Sequence, residues 1–573
     1  MALIPKNESF SPTIPGKKAF DPLKIDCPPT DNVTTAQYAF VGDFPTSIEV
    51  LEGAPFAGPS GSQFNRITAA ANIPRYTCYL TTACKAMPPK KNFNLLWTEK
   101  GYRQPAWGEL QRALIEELSQ LNCKVIMLLG ATPMRLLIDT PRFSSIAKYR
   151  GSCYHTSEFP HLSHKLPGKI LILSYHPAFT LVYSSPVSFY IMLMDMNKMK
   201  RVVEEPELIT PNLNLITKPE FDSVLWFYDR VKYRDTVCFD IECTPDFITC
   251  FSLAIRNDSG VITSMCIPLM DNSGNYWTVE QESAIWTGLA EILIDPAIGI
   301  ICQNGMFDLM FILRTMNIIS DNFYFDTMLA QHLVYTELPK GLDFLTSVYT
   351  YHPYYKDEGK QSHLSVIKDW PSYWAYNAKD SAYLFEITDN LQQELIDFEC
   401  VEAQAYQMAL HKPLMEMEFN GILTDQEGIA AYRIVLSRRI NALQHGLNKL
   451  SKSEININSA KQMIAYFYGT LMIKPYLNKK NGNPSCDTIA LHRIAKRGKK
   501  GSFEAKIIIK IRQYFKLLST YFNINVDEDN RLRCGYRIAG TVSGRISSNK
   551  TFFGTGANLQ NQPYAYKKYL MAD

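Results

Sequence analysis

The chain has 573 residues, more than a single hydrophobic core usually organises, so about two to four domains are expected. With 46% hydrophobic and 20% charged residues it has an ordinary globular composition, and 59 basic against 56 acidic residues leave a net charge of +3, which names no partner by itself. Thirteen cysteines follow no pairing pattern, the start MALIPKNESFSPTIPGKK lacks the apolar core of a secretion signal, and no window reaches the run of about 18 apolar residues that a membrane span needs. A reducing, cytoplasmic setting without a membrane is expected.

In chain order, short apolar runs (YAFVGDF, KVIMLLG, KILILSYH) first alternate with amphipathic stretches such as WGELQRALIEELSQL. This predicts an α/β domain over 1–203. The acidic, proline-containing VVEEPELITPNLNLITKPEF then predicts a linker at about 203–220. Strand-like runs DTVCFDIE, FSLAIRN, TSMCIPLM and GIICQN, interleaved with helix-like ones, predict a second α/β domain over 221–398. From 399 the pattern is long and helical, ending in a polar Gly- and Asn-rich tract from Gly535 to Pro563.

The second domain holds a constellation of carboxylates. In TVCFDIEC the two-residue period of a strand puts Asp240 and Glu242 on one face. In ICQNGMFDLMFIL, Asn304 and Asp308 are four apart, as are Tyr376 and Asp380 in YNAKDSAYLF, a spacing that aligns side chains along a helix face. Converging carboxylates repel one another unless cations neutralise them, and oxygen-only ligation suits Mg²⁺ or Mn²⁺. Two such ions about 4 Å apart activate water on one side and stabilise a leaving 3′ oxygen on the other. Each piece alone is common in proteins without such a site.

Together, in this order, these segments resemble the three motifs of DnaQ-like exonucleases, specifically the proofreading domain of family A DNA polymerases, and FDTMLAQHLVYTELPKGLDFL resembles the connecting segment. The resemblance implies an RNase H-like fold. It further implies metal ligands at Asp240, Glu242, Asp308 and Asp380, Tyr376 orienting the attacking water, and Asn304 and Phe307 lining the pocket for the terminal nucleotide of a single-stranded 3′ end.

Past residue 400, HKPLMEMEFNGILTD and INSAKQMIAYFYGTL resemble the entry and thumb of a family A polymerase. A basic run through Arg493, Lys496, Arg497, Lys499, Lys500, Lys506, Lys510, Arg512 and Lys516 would meet the phosphates of primer-template duplex there; a solvated helix face is the alternative. GTVSGRISS and ANLQNQP resemble the segments that hold primer-template, implying DNA contacts at Arg545, Asn558, Gln560 and Asn561, with Ser543 in place of the usual threonine. Asp573 matches the first metal-binding aspartate of the palm. The fingers helix and second palm aspartate do not follow it, so these residues alone are not expected to polymerise DNA. A second polypeptide or downstream segment is expected to supply the rest of palm and fingers, whether through a split gene, an intein junction or a sequence that continues.

The first 200 residues resemble family 4 and related uracil-DNA glycosylases through FVGDFPTSIE, GAPFAGPSGSQF, YLTTACKAMPPKKN, VIMLLGATPMRLL and ILSYHPAF. The resemblance implies an α/β/α domain. In it the loop Gly42-Asp43 to Thr46 positions water, Phe56 stacks on a flipped-out base, the Thr82 segment reads the uracil edge and His176 stabilises the departing base. The loop departs from the family's Gly-Glu-Ala-Pro-Gly, and Thr82 stands where an asparagine is usual, without the amide's paired donor and acceptor. Only Cys84 matches a cluster ligand, so no iron-sulfur cluster is expected. The leading expectation is a replication protein of a phage or other mobile replicon, sited in the host cytoplasm. A repair nuclease combining uracil recognition with exonuclease, and a DNA-binding scaffold, are the alternatives.

Overall fold

Apolar runs without polar alternation are the mark of strands covered on both faces, and the N-terminal runs form such strands. The computed structural model describes residues 21–88, 105–139, 145–182, 186–205, 208, 210–359, 367, 369–479 and 481–572. Strands β1 (Tyr38–Gly42), β2 (Cys78–Thr82), β3 (Val125–Leu129), β4 (Cys153–His155) and β5 (Ile170–Ser174) make a sheet of order β2-β1-β3-β5-β4, parallel except for β4. Helices Pro59–Ala70 and Pro186–Glu204 cover one face through Phe64, Ile67, Met192 and Met196. Helices Pro105–Ser119 and Ala131–Ile138 cover the other through Leu114, Leu118 and Leu136. This is the α/β/α sandwich expected.

The second sheet has the order β13-β12-β7-β8-β9-β6. Its strands are β6 (Leu213–Ile216), β7 (Thr236–Cys243), β8 (Ile248–Arg256), β9 (Ile262–Pro268), β12 (Gly299–Cys302) and β13 (Phe323–Asp326); a small hairpin, β10 (Met270–Asp271) and β11 (Gly274–Asn275), follows β9. The β7-β8-β9 meander is antiparallel, while β12, β13 and β6 pair parallel with their neighbours. Strand β6 lies inside the stretch expected to be linker. Its pairing with Ile262–Met265 of β9 is non-local, so nothing in the surrounding residues signals it.

One 28-residue helix, Trp370–Asp397, lies across this sheet and carries half of the site. Asp369 caps it by accepting from the Ser372 amide at 3.2 Å, and Pro371 sits in the first turn, where a missing N–H is harmless. Its apolar side packs Ala378, Ala382 and Phe385 against Cys238, Cys250 and Ala254 of the strands.

The chain separates into two compact units, one holding both sheets and reaching residue 408, the other comprising 409 onward with 310–317. In the second unit, helices Gln426–Ser451, Thr488–Lys496 and Ser502–Lys516 enclose Leu447, Met463, Phe467, Leu491, Ile494 and Ile508, the helical character expected. Strand β14 (Ile422–Thr424) pairs antiparallel with β15 (Arg531–Leu532) and with β18 (Leu570–Met571), and β16 (Gly535–Arg537) forms a hairpin with β17 (Ser547–Asn549). Asp573 lies outside the described residues. Among the described residues no helix is long and apolar enough to cross a membrane.

Candidate active site

Pleating sorts β7 into two faces. Val237, Phe239 and Ile241 point one way, and Cys238, Asp240 and Glu242 face the helix Trp370–Asp397. The ladder with β8 shifts register just after Glu242, an irregularity of the kind that re-aims side chains at a site. Asp240, Glu242 and Asp380 bring carboxylate oxygens within 4.8 Å of one another. Asp308 stands outside that triad: buried in the first turn of helix Gly305–Met316, it accepts from the Ile241 amide at 3.1 Å. Three of the four expected ligands therefore converge, with the fourth bonded to the backbone between Asp240 and Glu242.

Burial, reinforced by the Asp380, Asp308 and Glu242 charges, pushes the Asp240 carboxyl well above its ordinary range. Burial and Asp380 push Glu242 up to about 8. Burial pushes Asp308 up to about 7 against the pull of the Ile241 N–H. Such a set of hard oxygen donors, held against its own repulsion, fits divalent cations. The pH dependence follows from the sign of these shifts. The folded chain retains protons that the unfolded chain has already lost above the ordinary carboxylate range, so the metal-free fold loses stability as pH rises through the 7 to 8 of these two groups. A dication must displace those protons, so Mn²⁺ affinity measured by calorimetry is expected to rise steeply between about pH 6 and pH 8; a pH-independent affinity would contradict this electrostatic picture.

The helix Trp370–Asp397 presents Tyr373, Tyr376, Asn377 and Asp380 along one stripe, the three- and four-residue spacing of a helix face. Asn377 Nδ2 donates to Asp240 Oδ2 at 2.8 Å and Tyr373 Oη to Glu242 Oε2 at 3.4 Å. Burial and the Asp380 charge raise the Tyr376 hydroxyl, which therefore stays protonated and able to orient a water. Neither Tyr373 nor Asn377 was singled out from the sequence, although the same stripe predicts both.

Asn304 departs from expectation. It is not on a helix face with Asp308 but precedes the helix in the left-handed region, at φ 60°, and its amide donates to Asp326 Oδ1 at 3.0 Å. Asp326, fully buried, also accepts from the amides of Gly305 at 3.1 Å and Met328 at 2.8 Å, tying two helix starts together. Phe307 is half-buried in the first turn of the same helix.

In the N-terminal domain the expected pocket residues gather at the carboxyl ends of β1, β2 and β5, the edge where open α/β sheets bind ligands. Phe56 and His176 stack with centroids 6.0 Å apart, and a Cβ on Gly42 would lie 2.8 Å from Phe56 Cζ and 3.5 Å from His176 Nε2. A side chain at Gly42 would press on the Phe56 ring. Asp43 Oδ1 accepts from the Thr132 amide at 3.2 Å, and the buried Thr82 hydroxyl donates to the Cys84 carbonyl at 2.9 Å. Burial pushes the Cys84 thiol up to about 11.

In the second unit, Lys516 ends its helix exposed, and Arg545 is exposed in a loop whose Thr541 Oγ1 accepts from the Arg545 amide at 3.0 Å. Asn558 Oδ1 accepts from the Asn561 amide at 3.1 Å, and Gln560 Nε2 donates to the Ile546 carbonyl at 2.8 Å. The Gln560 bond fastens the Asn-Leu-Gln-Asn turn to the start of β17.

Comparison with known proteins finds three family models along the chain: uracil DNA glycosylase superfamily over 28–199, 3′-5′ exonuclease over 226–396 and DNA polymerase family A over 426–569. DNA polymerase I of Borreliella burgdorferi is 28% identical over 371 residues, which are 62% of this chain and 38% of that protein. The type-4 uracil-DNA glycosylase of Archaeoglobus fulgidus is 25% identical over 149 residues, 25% of this chain and 66% of that one. A solved POL domain of Pol1 from M. smegmatis, complexed with DNA primer-template and dNTP, aligns with a TM-score of 0.47 at 19% identity, covering 61% of this chain and 56% of that one. The chain thus spans well under half the length of the polymerase relative it matches. Segment by segment, it matches three family models, so that a segment like the uracil DNA glycosylase superfamily, one like a 3′-5′ exonuclease and one like DNA polymerase family A lie in one polypeptide.

Proposed function

We propose that the chain is part of a replicative family A DNA polymerase and that its middle domain is a two-metal 3′-to-5′ exonuclease acting on primer ends. The observation that carries this reading is the Asp240, Glu242 and Asp380 triad, with oxygens within 4.8 Å, on elements of a 3′-5′ exonuclease domain. Mg²⁺ or Mn²⁺, held by the triad with Asp308 beside it, would supply charge for water activation and for the leaving oxygen. The chain's own groups do the rest. Tyr376, protonated, orients the water that attacks phosphorus; the P–O3′ bond breaks, the 3′ oxygen ends protonated, and a 5′-mononucleotide leaves. Asn377 and Tyr373 hold Asp240 and Glu242 in place. Asn304 and Phe307, at the start of the helix that carries Asp308, line the cleft for the terminal nucleotide.

In the second unit, Lys516, Arg545, Asn558, Gln560 and Asn561 would hold primer-template duplex, with Asp573 as the first metal-binding aspartate of the palm. The test is degradation of a primer with a mismatched 3′ terminus against a matched one, with and without chelator. Faster, metal-dependent loss of the mismatched end is expected; equal rates on both would remove the proofreading role.

For the N-terminal domain, the Phe56–His176 stack beside Gly42 supports a pocket for a flipped base. Uracil release from single-stranded DNA that disappears with His176→Ala would make it a glycosylase. No release at high protein concentration, with binding of uracil-containing DNA retained, would make it a recognition module.

A further inference from the structure

Both oxygens of Asp380 are engaged by residues outside the three exonuclease motifs. The buried Tyr355 hydroxyl donates to Asp380 Oδ1 at 2.5 Å, and Lys356 Nζ donates to Asp380 Oδ2 at 2.6 Å and to Tyr376 Oη at 3.1 Å. The Lys356 ammonium also lies 4.7 Å from the centroid of the Tyr376 ring. One cation thus touches two of the groups on which the nuclease reading rests.

The backbone that carries this pair is fastened to the N-terminal α/β domain at several points. Lys198, buried, donates to the carbonyls of Gly151 at 2.8 Å and Thr350 at 2.6 Å and also to that of Ser347. The Tyr354 amide donates to Ser152 Oγ at 3.2 Å, the Tyr354 ring packs edge-on against Tyr149 at 5.1 Å, and Lys148 pairs with Asp357 at 3.1 Å. Residues 347–357 therefore form a strap, with one side on the N-terminal domain and the other on the carboxylate cluster.

We propose that this strap is a positioning element of the nuclease: Tyr355 and Lys356 fix the rotation of the Asp380 carboxylate, and Lys356 places a positive charge beside the divalent-cation site. The N-terminal domain, by holding the strap, is then a structural part of the nuclease centre as well as a module in its own right. This rests on the nuclease reading above. A carboxylate with both oxygens bonded cannot swing away from the triad, whereas a fixed ammonium repels an arriving dication. Holding geometry and weakening metal binding are opposite effects, and they separate Lys356 from a residue that merely supports the fold.

The experiment compares the native chain with Lys356→Met and Lys356→Arg by Mn²⁺ calorimetry, melting and the turnover of 3′-end degradation. Lys356→Met is expected to bind Mn²⁺ tighter by about tenfold or more, since removing one positive charge within a few ångströms of a dication is worth about that much even at the dielectric of water. Its turnover should nevertheless fall by about tenfold or more, with KM for DNA changed much less. Lys356→Arg should keep the native Mn²⁺ affinity and recover much of the turnover. Unchanged or weaker Mn²⁺ binding by Lys356→Met would overturn the proposal, and a parallel fall in affinity and melting temperature would reduce Lys356 to a fold-supporting residue.

The anchoring on the N-terminal domain is tested separately by Lys148→Ala with Ser152→Ala. Slower turnover at native melting temperature supports it, and native turnover overturns it. Mn²⁺ binding is read without DNA, so a native chain that degrades nothing would fail the nuclease reading while the Lys356 comparison still decides the role of the strap.

Discussion

Asp240→Ala is expected to lower the release of mononucleotides from DNA 3′ ends by about a thousandfold or more, about 4 kcal/mol of barrier. Asp240 sits at the centre of the cluster: its carboxyl is raised by burial and by Asp380, Asp308 and Glu242 together, and it is bonded by Asn377. Its removal takes one ligand from the triad and leaves a donor, Asn377 Nδ2, without its carboxylate partner. The fold should not suffer. Deleting one of several mutually repelling buried carboxylates relieves strain in the metal-free chain, so the variant should melt no lower than the native chain without metal while losing the stabilisation that Mn²⁺ gives the native one. A variant that keeps native turnover would remove Asp240 from the reaction, and one that unfolds would say that the cluster is a structural ion-pair network.

The largest expected effect on stability is at Asp195. This carboxylate and Arg150, 1% and 4% exposed, form an ion pair of 2.6 Å inside the first unit, and Ser174 Oγ donates to the other oxygen at 2.6 Å. Burial pushes the Asp195 carboxyl up, and Arg150 acts against that. Asp195→Ala strands the Arg150 guanidinium in a dry site that also holds the Lys198 ammonium, and a loss of about 3–5 kcal/mol is expected for breaking such a pair from one side. Replacing both partners by apolar residues, Asp195→Leu with Arg150→Met, should cost much less, because no unpaired charge remains. Denaturant unfolding of the four chains of that cycle measures the coupling; a loss for the double replacement equal to the sum of the two single losses would show that the pair is not coupled. Arg150 also donates to Ser347 Oγ on the strap, so the single variant is expected to slow the nuclease as well.

How much of this was legible from the sequence depended on whether each feature is local. Asp240 with Glu242, and Tyr376 with Asp380, fell where strand and helix periods put them, because each pair lies within one regular element. The α/β character of the N-terminal domain was legible from short uninterrupted apolar runs between amphipathic stretches, the pattern of strands covered on both faces. Asn304 was misplaced because a residue at φ 60° just before a helix has the same spacing to Asp308 as one inside it. Tyr355 and Lys356 carried no signal, since they reach Asp380 from a segment without period, through backbone held by residues some two hundred positions earlier. Strands β6, β14, β15 and β18 went unseen for the same reason: two to four residues long, they exist only through partners far along the chain.

Hydrolysis of DNA from its 3′ end is the role proposed for the carboxylates on β7 and on helix Trp370–Asp397. It is tested most directly by following release of the terminal nucleotide from 3′-labelled single-stranded DNA in Mg²⁺ or Mn²⁺, for the native chain beside an Asp240→Ala, Glu242→Ala variant of equal melting temperature. Early release of labelled mononucleotide by the native chain, absent in the variant and in chelator, is the predicted result. A folded native chain that releases none, or a variant that releases it equally, would contradict the account.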